Sequence, residues 1–425
     1  MNMRITTVRR ISQIFFGFLF FWFCVVMTLG ENWWQLRGWP VNWLMQLDPL
    51  VGLGTLLATG ALYAGLAWGL LTMILTVFLG RFFCGWVCPF GALHQLVGYL
   101  HNRRRSVKMK LGANQYRRAQ AFKYWLLIFL LSGAAGEFLS WLGGVPWQQT
   151  TAFVLGGALV LLGCILAAAL QKDGHHKQTV RLVVGLGLVW IVLGIVFKGE
   201  RILVASLQTG LLDPLPLFYR SVNLALLPLV DHGAIQLATA SRYYEGAWLI
   251  GTLFGVAVCM NLWIPRFYCR FVCPLGALLG LLGRWSIWRV GKQASACKDC
   301  RLCERHCEGA CQPATQIRIS ECVLCLNCVD DCHHGRVGYH TQPSAGGEVA
   351  APDLTKREFV TAFVAGSAVI AWLRMNGNTG SNWHPHLVRP PGALAEGDFL
   401  SRCTKCGQCM RICPTNVIQP DGLTG

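Results

Sequence analysis

Acidic side chains are scarce in this chain of 425 residues: 20 Asp and Glu stand against 37 Lys and Arg, and charged residues make up only 13%. Soluble domains carry about 25% charge. A chain 54% hydrophobic, with mean hydropathy +0.44, is therefore expected in membrane lipid. No Gly-rich phosphate loop stands in a strand-to-helix context, which argues against a nucleotide or dinucleotide site. No methionine- or histidine-rich tract is present for handling metal cargo. His94, His101, His175, His176 and His232 do not pair at matching depth in two apolar runs, which disfavours haem b. The basic excess, formally +17, sits in short clusters between apolar runs. That is the pattern of cytoplasmic loops rather than of a nucleic-acid face, so no nucleic-acid partner is expected.

Apolar runs of about the 20 residues a spanning helix needs lie at roughly 11–30, 52–79, 121–142, 148–170, 181–198 and 246–264, with a weaker seventh at 359–373. Arg4, Arg9 and Arg10 precede the first, and clusters around Arg103–Lys110, Lys172–Arg181 and Arg266–Lys292 follow the second, fourth and sixth. With the N-terminus inside, all four clusters fall on the cytoplasmic side. Tryptophans and tyrosines at 31–51 and 199–245 suit the outer interface.

What the chain has in excess is cysteine, 20 in all. CKDCRLCERHC at 297–307 and CVLCLNCVDDC at 322–332 both read C-x2-C-x2-C-x3-C, the spacing of two-cluster bacterial ferredoxins. This spacing assigns Cys297, Cys300, Cys303 and Cys332 to one 4Fe–4S cluster, and Cys322, Cys325, Cys328 and Cys307 to another. Cys311 is the alternative to Cys307. Zinc also takes C-x2-C pairs, but the tripled spacing is awkward for a tetrahedral ion. Glu308 and His333 stand where a proline usually follows the fourth cysteine. CTKCGQCMRICP at 403–414 repeats the pattern, with Cys403, Cys406, Cys409 and Cys413 as ligands: either Cys413 closes a single cluster, or the module is incomplete here and continues beyond this sequence. At least two clusters, and three or more with this last group, are expected.

A second cysteine pattern is repeated. RFFCGWVCPFGAL begins at 81 and RFYCRFVCPLGAL at 266, each after an apolar run, and QLDPL and LLDPL introduce the two units. Cysteines four apart share a helical face. Proline disfavours helix for the residue before it and suits the first position of a new helix. Each motif is thus a helix break with a thiol at a helix N-terminus, where thiolate is favoured, beside Arg81 or Arg270. Brought together about a pseudo-twofold axis, Cys84, Cys88, Cys269 and Cys273 would hold a cluster or act as redox thiols. The competing reading is close helix packing by small side chains. Cys24, Cys164 and Cys259 stand singly in apolar surroundings and read as inert.

At these residues the sequence resembles the membrane polyferredoxins of the periplasmic nitrate reductase and nitrous oxide reductase systems. CGWVCPFGAL, CRFVCPLGAL and the paired ferredoxin runs carry the likeness over about 50–340. KREFV, followed by RPPGALAEGDFLSRCTKCGQCMRICPTN, resembles the exported ferredoxin partner of the nitrate system. The chain reads as a fusion of the two. KREFV is also similar to a weak twin-arginine signal.

The expected architecture is an all-α polytopic membrane protein of six to seven transmembrane helices with an internal repeat, carrying α+β ferredoxin-like modules. Its parts are a transmembrane domain at 1–292, a cytoplasmic ferredoxin domain at 293–340, a linker at 341–356, a seventh span or anchor at 357–375, and a periplasmic module at 376–425. The resemblance implies a bacterial inner-membrane, quinol dehydrogenase-type subunit of a larger complex. It would oxidise quinol from the quinone pool and deliver electrons to a periplasmic redox enzyme or cytochrome. A maturation or metal-reduction factor for a respiratory enzyme is the alternative. Quinol oxidation releases protons, for which Asp48, Asp213, Glu245 and His232 on the outer side, or His94 on the inner, are the candidates; Asp48 and Asp213 also read as repeat-related helix caps.

Overall fold

The computed structural model describes residues 4–29, 36, 39–59, 63–103, 105–142, 209–231, 242–293, 300–374, 392–394, 398–399, 402–413 and 415–420. The expected spans at 148–170 and 181–198, with Cys164, Cys297 and His232, lie outside the described residues.

The chain opens on a 25-residue helix, α1 (Ile5–Leu29). The first repeat follows as α2 (Pro49–Thr59), α3 (Gly69–Leu79), the short α4 (Phe82–Trp86) and α5 (Pro89–Asn102), and α6 (Phe122–Leu142) comes next. The second repeat copies that order: α7 (Pro214–Arg220), continued through a π turn at Ser221–Leu226 into Leu227–Asp231, then α8 (Ala247–Cys259), α9 (Phe267–Phe271) and α10 (Pro274–Gly283). Both repeats start on Asp-Pro for one reason. Proline has no N–H to lose at the first helical position and its φ is already helical. The Asp48 carboxylate accepts from Leu50 N–H at 3.0 Å as a cap, and Asp213 holds the same place before Pro214.

An aromatic column ties the units together. Phe20 of α1 stacks on Phe218 at 4.2 Å, Phe218 on Phe254 at 5.5 Å, and Phe90 meets Phe254 at 5.7 Å and Tyr268 at 5.1 Å. Ile11, Ile14, Phe15 and Phe18 point outward instead. Their spacing is that of one helical face, an apolar stripe suited to lipid.

Among the described residues α1, over Ile5–Val26, is the one helix both long and apolar enough to cross a bilayer. The six to seven expected spans are not reproduced in that form. The apolar helices at Ala64–Leu79 and Ala247–Leu262 rise about 24 Å each at 1.5 Å per residue, short of the ~30 Å hydrocarbon core. The second apolar run divides between α2, which ends at Thr59, and the helix at Ala64–Leu79. α11 (Lys356–Arg374) lies along α6, with Gly366 so close to Phe129 and Ser132 that a β-carbon has no room.

The ferredoxin module is larger than its cysteine-rich stretch. β1 (Arg289–Lys292) pairs antiparallel with β3 (Val337–His340), and β2 (Ile317–Arg318) pairs parallel with β4 (Glu348–Val349). Paired strands therefore extend it from 289 to 349, into segments the composition had placed in the membrane domain and the linker.

Candidate iron–sulfur sites and the cysteine tetrad

The backbone around the cysteines follows one rule. Leu324 and Leu326 flank Cys325 at φ of 51° and 57°, and Lys405 and Gly407 flank Cys406 at 57° and 72°. Arg301, directly after Cys300, is at 55°. Left-handed geometry is costly for a leucine or lysine. Alternating it with right-handed residues turns successive N–H groups into one concavity, the nest that surrounds iron–sulfur clusters. The strain thus recurs at matching positions of separate loops, and the donor set of thiolates and inward amides fits a 4Fe–4S cluster. The same signature encloses Cys311, with Ala310 and Gln312 both at 54°.

Cys307, Cys322, Cys325 and Cys328 are drawn together, with Cys303 beyond them. Cys311 lies between Cys307, 3.4 Å away, and Cys322. Cys332 accepts from Arg336 N–H at 3.3 Å. Among the described residues no three Cys, His, Asp or Glu converge on one ion.

Two buried glutamates bolt this module to the helices. Glu308 takes Arg9 at 3.2 Å and Arg266 at 2.8 Å. Burial favours its neutral acid, but Arg266 and Arg9 outweigh that and hold the carboxyl below its ordinary range. Glu321 takes Lys123 at 2.5 Å, Tyr124 Oη at 2.9 Å and Gln120 Nε2 at 3.0 Å. Burial is again overcome, here by Lys123 and Arg81. Glu308 occupies the usual proline position because it has two arginines to meet. At Gly85 and Gly309 the backbones come too close for a β-carbon, against Val323 O and Glu321 O.

The repeated motif forms the anticipated helix breaks. Cys88 and Cys273 are N-caps in extended geometry, with proline at the start of α5 and α10. Their Sγ atoms accept from Gly91 N–H at 3.4 Å and Gly276 N–H at 3.2 Å. Cys84, Cys88, Cys269 and Cys273 are close enough to act on one another electrostatically. Arg81 lies 3.9 Å from Cys84 Sγ, crosses to Gly276 of the other repeat, and donates to Ser320 O at 2.7 Å. Arg270, expected beside the thiols, turns away: it donates to Ala113 O at 3.0 Å and Gln115 O at 2.9 Å, fixing the loop before α6. Arg266 serves instead, donating to Cys84 O at 3.3 Å from a left-handed residue at φ 52°.

Asp48 and Asp213, both at 0% exposure, lie side by side at the repeat interface near Cys88 and Cys273 rather than at an outer face. Glu245 N–H instead meets Gln419 at 3.1 Å.

The C-terminal cysteine loop, with α12 (Gln408–Ile412), docks at the far end of α1. Arg411, 0% exposed, donates to Thr28 at 2.9 Å and meets Asp231 at 2.6 Å. Asn223 Nδ2 donates to Cys406 O at 3.0 Å, Tyr244 Oη to Met410 O at 3.1 Å, and Gly407 packs on Leu224. Cys24 lies within electrostatic reach of Cys406. At the near end of α1, Thr6 donates to Asp330 of the first module through N–H, at 3.2 Å, and Oγ1, at 2.5 Å. The two modules therefore contact opposite ends of one helix, at Thr6 and Thr28, which lie about 33 Å apart along it at 1.5 Å per residue.

A 4Fe-4S binding domain family matches residues 61–108 and 245–293, the two repeats, and a second 4Fe-4S binding domain family matches 399–419. Protein NirI of Paracoccus denitrificans is 38% identical over 115 residues, 26% of this chain and 16% of that protein. Putative electron transport protein YccM of Escherichia coli is 23% identical over 300 residues, 70% of this chain and 61% of that one. Regulatory protein NosR of Pseudomonas aeruginosa is 24% identical over 262 residues, 61% and 24%, and a shorter NosR sequence of that species is 35% identical over 68 residues, 16% of this chain and 68% of its own length. The chain spans less than two thirds of NirI, YccM and the longer NosR. No solved structure matches it. With paired cysteine–proline repeats, nest-forming ferredoxin loops and these relatives, the chain belongs to the NosR-type polyferredoxin family of iron–sulfur electron-transport proteins.

Proposed function

We propose that this protein carries electrons across a bilayer, between the quinol pool on one side and a redox enzyme or cytochrome on the other. The observation that carries the reading is the attachment of one ferredoxin module to Thr6 and the other to Thr28 of a single apolar helix. Basic residues at the Thr6 end support a cytoplasmic side for that module and a periplasmic side for the C-terminal one.

Bound 4Fe–4S clusters would supply the one-electron carriers that a two-electron donor such as quinol needs. Cys300, Cys303 and Cys332 with Cys297 hold one. Cys322, Cys325 and Cys328, with Cys307 or the nest-enclosed Cys311, hold the second. Cys403, Cys406, Cys409 and Cys413 hold the third. The tetrad occupies the gap between the modules. Arg81 links it to Ser320 of the first, and Tyr268, near Cys273 and Cys269, adjoins Arg220, which faces Cys403 and Cys406. Arg81 and Arg266 offset the negative charge that gathered thiolates would carry, whether the tetrad ligates a cluster or works as dithiols.

The test is quinol-dependent reduction of the bound clusters, followed optically in membranes, with iron and acid-labile sulfide counted per chain. Cys84→Ser and Cys269→Ser are expected to leave the first module reducible and block reduction of the C-terminal one. No reduction by any quinol overturns the reading.

A further inference from the structure

The cleft between α5 and the first ferredoxin module holds an unused hydrogen-bonding pair. It encloses about 260 Å³ and is lined by His94, Gly98, Asn114, Arg266, His306 and Asn327, among others. His94 is 0% exposed, and its Nε2 has no partner among the described residues. Its tautomer follows from its neighbour. Asn261 Oδ1 accepts from Phe267 N–H at 3.1 Å, and Asn261 Nδ2 donates to Val258 O at 3.0 Å. That amide is therefore oriented with its NH2 toward His94 Nδ1. Nδ1 must accept, so the neutral imidazole carries its hydrogen on Nε2, which leaves a buried N–H donor on a residue of the cleft lining. Asn114 Oδ1, its Nδ2 held by Arg305 O at 2.8 Å, is an acceptor without a partner among the described residues in the same lining.

We infer that this cleft is the binding site for a quinone head group, with His94 Nε2–H donating to a ring carbonyl. The inference rests on the quinol reading above and adds its location and orientation. The bare donor on His94 and the bare acceptor on Asn114, with Arg305 Nε also unmet in the same lining, suit a neutral ring bearing carbonyl or hydroxyl oxygens, because unmet groups there cost more than exposed ones. Arg4, Arg10, Arg103 and Lys110 line the cleft as well, beside Glu308, Asp330 and Asp331, while Arg266 and Arg305 are already taken by Glu308 and Asp331, so inorganic phosphate binding there in place of a quinone analogue would overturn the assignment. The volume accepts a head group, not its tail. The tail has an exit: Leu96, Tyr99 and Leu100 of α5 are exposed beside it, as are Ile11 and Ile14 of α1. The opposite wall is made by neighbours of cluster cysteines, since His306 and Glu308 flank Cys307 and Asn327 lies between Cys325 and Cys328. A head group here sits against the first module.

The probe is 2-heptyl-4-hydroxyquinoline N-oxide, a fluorescent quinone analogue, titrated by quenching against the full cluster-loaded chain in detergent. Wild type is expected to bind one analogue per chain. His94→Ala is expected to weaken binding roughly tenfold, the upper range for one neutral hydrogen bond. Gly98→Trp is expected to abolish it. A β-carbon at Gly98, in the cleft lining, meets nothing within 4 Å, so the added side chain starts into open space. Iron and sulfide per chain should stay unchanged in both variants. If both bind the analogue like wild type, the site lies elsewhere and this inference falls while the quinol reading stands. If wild type takes electrons from quinol yet binds no analogue, it falls as well. Wild type that takes no electrons from any quinol removes the quinol reading itself.

Discussion

Replacing Glu308 by proline restores the residue usual after the fourth ferredoxin cysteine, and it should loosen the protein. Glu308 is the shared anion of Arg9 and Arg266, at 3.2 and 2.8 Å, with side-chain exposures of 12%, 0% and 1%. Removing one partner of a buried pair costs about 3–5 kcal/mol, because the remaining charge stays buried. Neutral acceptors soften the loss here: Arg9 keeps Asn327 Oδ1 at 3.1 Å, and Arg266 keeps Gln95 Oε1 at 3.2 Å. A cost near 3 kcal/mol, the lower end, is expected. It falls on the contact between the first module and the helices, a sub-global opening that amide exchange reads directly. Exchange in 300–340 and in the first turns of α1 should accelerate roughly a hundredfold, with that of α8 unchanged. Glu308→Gln, which keeps the shape and loses the charge, should behave like Glu308→Pro. Exchange left unaltered or slowed by Glu308→Pro would refute the electrostatic account of docking.

Lys123→Met leaves Glu321 buried with only neutral partners and Arg81 near it, and should lower the midpoint of thermal iron release; an unchanged midpoint counts against the second bolt. Gly85→Ala forces a β-carbon onto Val323 O. It should cost about 1–3 kcal/mol by overpacking, seen as faster proteolysis between 300 and 350. Leu326→Ile, a β-branched residue at φ 57°, should speed iron loss to a chelator, whereas Leu326→Gly should not, since only the former is strained there. Arg411→Met should free 402–420 to protease while sparing the first module, because the two docks share no side chain.

What the sequence made legible was local. A cysteine before a proline must break a helix and cap the next one, so Cys88 and Cys273 could be placed without knowing what surrounds them. The Asp-Pro pairs were legible as caps for the same reason, but not as neighbours, because their meeting depends on how the repeats pack. Arg266 and Arg270 are one helical turn apart with the same chemistry. Choosing between them needs the left-handed turn at Arg266, which an arginine does not advertise. The nest around Cys311 was hidden likewise, since alanine and glutamine give no hint of positive φ. The ends of the first module were missed because strands of two to four residues leave too short a period to detect. Two of the expected spans, 148–170 and 181–198, lie outside the described residues, and the run at 52–79 is shared by two shorter helices that a hydropathy window does not separate.

α1 is also a gauge. Its two ends are fixed by polar contacts to different cofactor modules, and no loop intervenes, so the interval between those modules is set by the pitch of a single rod rather than by a flexible tether. Every hydrogen bond along the rod resists stretching, and thermal motion can tilt the pair together far more easily than it can part them. For a carrier whose transfer rate falls steeply with distance, such a spacer keeps the rate steady while the surrounding helices breathe.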